Sequence, residues 1–243
     1  MTTMNQRVAL VTGATRGIGR AIARGLAAEG FTVLLGARSV ESGRKAAEGL
    51  GGDVRPVLLD VTDQRQVDAA AALVEAEYGW LDVLVNNAGV NVQGRRELDH
   101  LPKPSEEDVD DIRFVYETNV FGVVRMISSF LSLLHKSKAP RIVNVTSMRG
   151  SIGEEGAWVG QPSLSYSSSK TALNAITVHY AREFADTTLK INGAAPGHVA
   201  TDFNGFRGTR TPDEGAAVAI RLATLDATGP TGAVFEDEHQ LAW

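Results

Sequence analysis

The chain has 243 residues, of which 43% are hydrophobic and 22% charged. This balance allows one sizeable hydrophobic core and excludes a disordered or fibrous chain. Lys and Arg number 24 against 29 Asp and Glu, a net charge of −5, and no basic stripe is present, so nucleic-acid binding is not favoured. The chain contains no cysteine, which excludes disulfides, thiolate nucleophiles and Cys-ligated metals.

The sequence shows no membrane-spanning, targeting or metal-binding pattern. Its longest uninterrupted apolar run, Ala69 to Val74, is far shorter than the roughly 20 residues that cross a bilayer. Residues Met1 to Arg7 lack the apolar region of a signal peptide, so we expect a cytoplasmic protein with no membrane partner. The five histidines lack ligand spacing, so no metal site is expected.

Short apolar runs bounded by Gly, Asp or Asn alternate with longer segments whose apolar residues recur at helical spacing. This alternation predicts repeated β-α-β units, and therefore an α/β fold with a parallel sheet. Because no linker or internal repeat interrupts the pattern, we expect one domain over residues 1–243. The predicted strands are Arg7–Val11, Thr32–Ala37, Val54–Leu58, Asp82–Val85, Arg141–Thr146, Lys190–Ala195 and one near Ala233–Phe235, and helices over Gly19–Glu29 and Gln64–Tyr78 are the clearest.

A glycine-rich segment, Thr12–Gly19 (TGATRGIG), joins the first predicted strand to the first predicted helix. Glycines at this spacing permit a tight turn and aim the N–H groups of a helix N-terminus at an anion such as a pyrophosphate. A glycine pattern alone is often only a turn, but the strand–turn–helix context favours a dinucleotide site.

The end of the second predicted strand indicates which dinucleotide is bound. Arg38 follows Ala37 there, where a NAD-specific site usually presents an acidic residue to the ribose. Arg16, inside the glycine turn, can approach the same volume. Two guanidiniums would pair with a 2′-phosphate, so we predict NADP(H); the alternative is that both arginines are solvated surface residues.

Two further loops follow predicted strands. Asp60-Val61 comes after the third strand, and Asn86–Gly89 (NNAG) comes after the fourth. Ligands of doubly wound sheets lie across the carboxyl ends of the strands, so these loops are predicted to line the same cleft as the glycine turn. The alternatives are a helix cap near Asp63 and an ordinary turn.

Ser147 follows the fifth predicted strand, and Tyr166 and Lys170 come after an interval of 18 residues. Residues four apart share a helix face. An ammonium about 4 Å from a phenol contributes about 4 kcal/mol at an effective dielectric near 20, roughly three pKa units. The lysine would thus bring the tyrosine pKa toward neutrality, where a phenol can exchange a proton with a carbonyl or alcohol oxygen. Taken alone, such a pair is more often a surface contact.

These motifs resemble those of the short-chain dehydrogenase/reductases. The matching segments are Thr12–Gly19, Asn86–Gly89, Asn119, Ser147, Tyr166–Lys170 and Pro196-Gly197, in that family's order and approximate spacing. The resemblance implies a single Rossmann-type doubly wound sheet of seven parallel strands with helices on both faces, and a nicotinamide cofactor.

The resemblance also implies roles for individual residues. Tyr166 would be the general acid in carbonyl reduction, and Ser147 would polarise the substrate carbonyl. Lys170 would lower the tyrosine pKa and hold the nicotinamide ribose, while Asn119 would support a water leading from Lys170 to solvent. The implied cofactor contacts are Gly13, Thr15, Arg16, Gly17, Ile18, Gly19, Arg38, Asp60, Val61, Asn87, Ala88, Gly89, Pro196, Gly197, Val199 and Thr201.

Several segments depart from the family pattern. The interval between Ser147 and Tyr166 is longer than is common, and a charged insert lies around 95–111. The Pro-Thr-Gly segment at 230–232 and the final Trp243 resemble the carbonyl reductase branch, which includes monomeric enzymes, so we expect a monomer or small homo-oligomer. Phe203 and Phe206 predict an apolar substrate flap near 198–212; the alternative is that these rings pack as core under a loop.

The expected function is therefore NADPH-dependent reduction of a ketone or aldehyde, a small-molecule substrate, to an alcohol. One alternative is an enoyl (C=C) reductase, although such relatives commonly have a longer Tyr–Lys spacing. Another is a non-catalytic, NADP-sensing binding protein, which would need the glycine turn but not the Ser–Tyr–Lys set.

Overall fold

The computed structural model describes residues 6–94, 102–158 and 160–243. Strands and helices alternate along the chain, as the sequence predicts. The strands are β1 (Arg7–Val11), β2 (Phe31–Ala37), β3 (Asp53–Leu58), β4 (Val83–Asn86), β5 (Arg141–Val145), β6 (Lys190–Ala194), β7 (Val234–Glu236) and β8 (His239–Gln240). The helices are α1 (Gly17–Ala28), α2 (Val40–Ala47), α3 (Gln64–Glu77), α4 (Val109–Tyr116), α5 (Gly122–Leu134), α6 (Leu164–Glu183) and α7 (Pro212–Ala223).

The described strands form one sheet in the order β3-β2-β1-β4-β5-β6-β7-β8. Neighbours from β3 to β7 pair in parallel, and β7 pairs with β8 in antiparallel fashion. The predicted doubly wound α/β fold is confirmed, but the predicted count of seven strands is wrong, because the sheet has eight. The added strand has two residues, too few to produce a periodic sequence signal. Asp237, at φ 49°, makes the tight turn that leads into it.

Helices cover both faces of the sheet. Alternate residues of a strand point to opposite faces, so Ala9 and Val11 pack with α1 and α7, whereas Val8 and Leu10 pack with α3, α5 and α6. Phe130 of α5 is fully buried in the second layer. This two-sided burial explains the continuous apolar runs of the central strands.

The strand order creates a crevice at one edge of the sheet. After β1 the chain moves outward through β2 to β3, and it then returns to place β4 on the other side of β1. Helix α1 after β1 and helix α5 after β4 pack on opposite faces of the sheet. In open α/β sheets, ligands bind at this reversal, beyond the carboxyl ends of the strands.

Candidate active site

The glycine turn between β1 and α1 is closely packed. Gly13 and Gly17 have φ values of 61° and 53°, a region that side chains disfavour. A Cβ atom on Gly19 would lie 2.3 Å from Asn87 Nδ2. Thr15 and Ile18 are half-buried in the same turn. Side chains at the glycine positions would therefore close the space in front of α1.

The N-terminus of α1 is suited to an anion. Its N-cap residue, Arg16, makes no side-chain capping hydrogen bond, and the first turn of the helix contains no acidic residue. The N–H groups of a first helical turn have no partner inside the helix, and together with the helix dipole they favour a phosphate. The residues present here fit the pyrophosphate of a dinucleotide.

Thr12, which sequence analysis placed in the glycine-rich segment without a role, ties the loops after β1 and β4 together. Its Oγ1 accepts hydrogen bonds from the backbone N–H groups of Asn87 and Ala88, both at 3.0 Å. In return, Asn87 Nδ2 donates to the Thr12 carbonyl at 2.9 Å. The sequence signal was a hydroxyl residue at the end of an apolar strand, which is too common to stand out.

Arg16 and Arg38 both expose their side chains at the sheet edge where the glycine turn lies. The backbone N–H of Ala14 donates to the Gly36 carbonyl at 3.1 Å, which joins the turn to the end of β2. Arg16 Nε lies 3.9 Å from Asp202 Oδ2 in an exposed ion pair. Exposed pairs contribute about 1 kcal/mol or less, so a phosphate can readily replace this one.

The loop after β3 puts Asp60 and Val61 in different surroundings. Asp60 Oδ1 accepts hydrogen bonds from the N–H and hydroxyl of Thr62 at 2.9 and 2.7 Å, and the cap of α3 is Asp63 instead. Val61 is buried, and a Cβ on Gly122 would lie 2.8 Å from its Cγ2. Asp60 is therefore a turn residue at the sheet edge, and Val61 packs inward.

Ser147, Tyr166 and Lys170 come together in the structure. Ser147 follows β5 and accepts a hydrogen bond from the Arg149 N–H at 3.2 Å, and it lies near enough to Tyr166 to lower the pKa of that phenol. Lys170 Nζ donates to the Val145 carbonyl at 2.8 Å and lies 5.7 Å from the centroid of the Tyr166 ring. A proton donor, a second hydroxyl and a cation thus share one site.

The direction of the tyrosine shift differs from the sequence prediction. Burial raises the pKa of Tyr166, against the opposing effects of the Ser147 hydrogen bond and the Arg149 charge. Burial also lowers the pKa of Lys170 to about 8. The predicted lowering by Lys170 is not found, because desolvation dominates and the ammonium is directed to the Val145 carbonyl. The phenol therefore stays protonated at neutral pH, the form that a general acid requires.

Asn119 lies in a π-helical turn, Glu117–Phe121, between α4 and α5, and its side chain is fully buried. Its Oδ1 accepts from the Val90 N–H at 2.8 Å, and its Nδ2 donates to the Val90 carbonyl at 2.9 Å and to Ser169 Oγ at 3.0 Å. The amide thus fixes the loop after β4 to α6, next to Lys170. Its role in holding a water stays a prediction.

The lining of the candidate active site also includes Gly89 and the segment after β6. A Cβ on Gly89 would lie 3.6 Å from Lys170 Nζ, so the glycine leaves room beside the lysine. Gly197, after Pro196, has a φ of 74°. Val199 and Thr201 are buried. A Cβ on Gly17 would lie 3.2 Å from Thr201 Cγ2, so this segment reaches back to the glycine turn.

The segment 198–212 lies over the candidate acid. At its base, the Ala200 N–H donates to the Arg210 carbonyl at 2.8 Å. At its tip, the Phe203 ring lies 5.4 Å from the ring of Tyr166, centroid to centroid, and the Phe203 carbonyl accepts from Asn91 Nδ2 at 3.2 Å. The other aromatic residue, Phe206, is 65% exposed. Phe203 is therefore placed beside the reacting group and Phe206 is not.

The charged insert supplies a cap for the catalytic helix. Residues 95–101 lie outside the described residues, but both carboxylate oxygens of Glu107 accept from the Ser165 N–H, at 3.1 and 3.2 Å. Ser163, the N-cap of α6, makes no side-chain capping bond. The carboxylate thus replaces the usual local cap. Sequence analysis missed this contact, because it joins two distant segments.

Replacing Glu107 with Gln is expected to lower the free energy of unfolding by about 1 kcal/mol, because the N-terminus of α6 loses a charged acceptor. Urea denaturation followed by circular dichroism measures the change. The matched control is Glu106→Gln, since the Glu106 carboxylate makes exposed contacts with Lys103 in its own turn. Equal effects of the two substitutions would contradict the capping role.

Within the three described ranges, no helix is both long and apolar enough to cross a membrane. The same residues contain no group of three or more His, Asp or Glu side chains placed to hold a metal ion.

The family model described as short chain dehydrogenase matches residues 7–211. The chain belongs to the short-chain dehydrogenase family. It is therefore an oxidoreductase, and the matched residues include the glycine turn, Ser147, Tyr166 and Lys170.

The similarity to two relatives extends over nearly the whole chain. The short-chain dehydrogenase anuI of Penicillium roqueforti is 36% identical over 99% of this chain and 98% of that protein. The 3-oxoacyl-[acyl-carrier-protein] reductase FabG of Thermotoga maritima is 37% identical over 92% of this chain and 85% of that protein.

Solved short-chain dehydrogenase structures share the fold. Salutaridine reductase from Papaver somniferum superposes with a TM-score of 0.81 at 29% identity, covering 96% of this chain and 100% of that one. Pseudomonas aeruginosa RhlG, solved as an NADP active-site complex, gives a TM-score of 0.82 at 28% identity, covering 96% and 95%.

Proposed function

We propose that this short-chain dehydrogenase is an NADPH-dependent reductase that converts a ketone or aldehyde carbonyl to an alcohol. The observation that carries the proposal is the placement of Lys170 Nζ 5.7 Å from the centroid of the Tyr166 ring, with Ser147 near enough to lower the pKa of Tyr166. A protonated phenol beside a second hydroxyl suits an oxygen that gains negative charge during reduction. Relatives named as reductases support the same reaction type.

Bound NADPH supplies the hydride that adds to the carbonyl carbon. Tyr166 donates its proton to the carbonyl oxygen, and the Ser147 hydroxyl donates a hydrogen bond to the same oxygen. Lys170, one helical turn from Tyr166, would hold the ribose of the nicotinamide. Through Ser169 and Val90, Asn119 holds α6 against the loop after β4, which keeps these groups aligned.

We propose NADP(H) as the cofactor because Arg16 and Arg38 are both exposed at the edge that carries the glycine turn, and Arg38 stands directly after β2 in place of an acid. The glycine turn would hold the pyrophosphate, and Asp60 and Val61 would lie near the adenine. The remaining proposed contacts, from Asn87 to Gly89 and from Pro196 to Thr201, lie at the same edge of the sheet.

The proposal extends to the organisation of the chain. Residues 1–243 would act as one catalytic domain in the cytoplasm, as a monomer or small homo-oligomer. The segment 198–212 would be a flap that closes over a small-molecule carbonyl substrate, because its Phe203 contacts the Tyr166 ring. Closure of this kind excludes water from the reacting groups.

The test follows NADPH oxidation with a panel of aliphatic ketones, aryl ketones, quinones and cyclic enones, with identification of each product. We expect alcohols from ketones. A saturated ketone from an enone, with no alcohol product, would instead support enoyl reduction. Tight NADPH binding without turnover of any panel member would support a cofactor-sensing protein and contradict the proposed reductase.

A further inference from the structure

Arg149 lies directly beside the proposed carbonyl site. It is half-buried in the 3₁₀ turn after β5, two residues beyond Ser147, and its backbone N–H donates to Ser147 Oγ at 3.2 Å. Its Nε donates to Ser167 Oγ at 3.4 Å, on the residue that follows Tyr166. The backbone of Arg149 therefore contacts Ser147, and its guanidinium is anchored on α6 at the residue after Tyr166.

Among the described residues, most donors of the Arg149 guanidinium have no acceptor. It has five N–H groups, of which one donates to Ser167 and one, on Nη2, to the Gln161 carbonyl. For the other three N–H groups, no acceptor lies within hydrogen-bond distance among residues 6–94, 102–158 and 160–243. The contacts that anchor the side chain therefore leave one edge of the guanidinium available.

Two acidic side chains close to the site, Glu154 and Glu107, are engaged elsewhere. Glu154 accepts from the Ala242 N–H at 2.7 Å and contacts His239 Nε2 at 3.3 Å. Glu107 caps α6 through Ser165. Across the described residues, no carboxylate lies within 4.0 Å of the Arg149 guanidinium. A half-buried cation with free donors and no acidic partner is suited to a ligand carboxylate.

We propose that Arg149 is a specificity-determining residue that binds a carboxylate on the substrate, so that oxo acids are the preferred class of carbonyl compound. The inference rests on the proposed reductase function, since it places the carboxylate next to the carbonyl that Ser147 and Tyr166 hold. The influence of the Arg149 charge on the Tyr166 pKa supports this proximity. A planar guanidinium can bind both oxygens of a carboxylate.

The test compares Arg149→Gln with the wild type on matched substrates: 2-oxo, 3-oxo and 4-oxo acids and the methyl ester of each. For the best acid, the substitution is expected to raise KM by about 10- to 100-fold, with kcat changed less than threefold. The ester should show similar KM values in both proteins. Arg149→Lys should retain part of the preference for the acid. Arg182→Gln, on the exposed surface of α6, is the charge-matched control and should leave both substrates unchanged.

The possible outcomes distinguish a role of Arg149 in substrate specificity from a purely structural role. Equal losses on acid and ester in a folded Arg149→Gln protein, with an unchanged melting temperature, would overturn the inference and assign Arg149 to structure alone. Wild-type reduction of esters but not acids would also overturn it, while leaving the proposed reductase intact. If the wild type reduces no carbonyl compound of either kind, the proposed function fails and the inference fails with it.

Discussion

Replacing Tyr166 with Phe is expected to lower kcat for carbonyl reduction by about 100- to 10,000-fold, the usual contribution of a positioned general acid. The substitution removes only the phenolic hydroxyl, which is the proposed proton donor. It keeps the ring that packs against Phe203, so the Kd for NADPH and the melting temperature should change little. Steady-state kinetics and a fluorescence titration with NADPH measure the two effects separately.

The matched control is Tyr180→Phe, since Tyr180 lies on the same helix and packs against the core away from the site. It should retain wild-type kcat. A Tyr166→Phe protein with near-normal turnover would exclude Tyr166 as the proton donor. Loss of NADPH binding together with turnover would instead show that the hydroxyl serves the cofactor site.

The second large effect concerns the choice of cofactor. The wild type is expected to prefer NADPH to NADH in kcat/KM. Replacing both Arg16 and Arg38 with Ala should lower kcat/KM for NADPH by about 100-fold or more, because each charge-assisted hydrogen bond contributes about 1.5–3 kcal/mol. The value for NADH should change only a few-fold, since NADH lacks the 2′-phosphate. Initial rates with each cofactor, at a fixed concentration of the best ketone, measure the ratio.

The control for the double substitution removes two positive charges away from the site. It replaces Arg113 of α4 and Arg182 of α6 with Ala. Both side chains are exposed, so the control should preserve the NADPH preference. The expected salt dependence is a further check, because screening weakens a phosphate contact at an exposed site. A wild-type preference for NADH would refute the assignment of Arg16 and Arg38.

Much of the fold could be predicted because its signals are local. The predicted strands agree with β1 to β7 to within two residues at each end, since unbroken apolar runs between turn residues have few other interpretations in a chain that also shows helical periodicity. The prediction of the start of α1 is less accurate, because the sequence places it at Gly19 and the structure places it at Gly17. The positive φ of Gly17 belongs to the turn, and periodicity does not reveal it.

The identity of the residues at the site could be predicted from the sequence, but the direction of their pKa shifts could not. Spacing alone puts Lys170 one turn from Tyr166, yet it gives no information on burial. In the folded chain Lys170 is only 4% exposed, and desolvation decides the direction of both pKa shifts. Arg149 was overlooked for the same reason, since an arginine between two motifs has no distinguishing pattern.

The sequence by itself determined the alternation of strands and helices, the glycine turn, and the chemical groups available for hydride and proton transfer. These features depend on neighbours along the chain, within about one helical turn. Only the tertiary structure decided the eighth strand, the capping of α6 by Glu107 and the position of Arg149 beside Ser147 and Tyr166. Each of these features depends on contacts between segments that are distant in the sequence. Such contacts form only when the helices pack against the sheet.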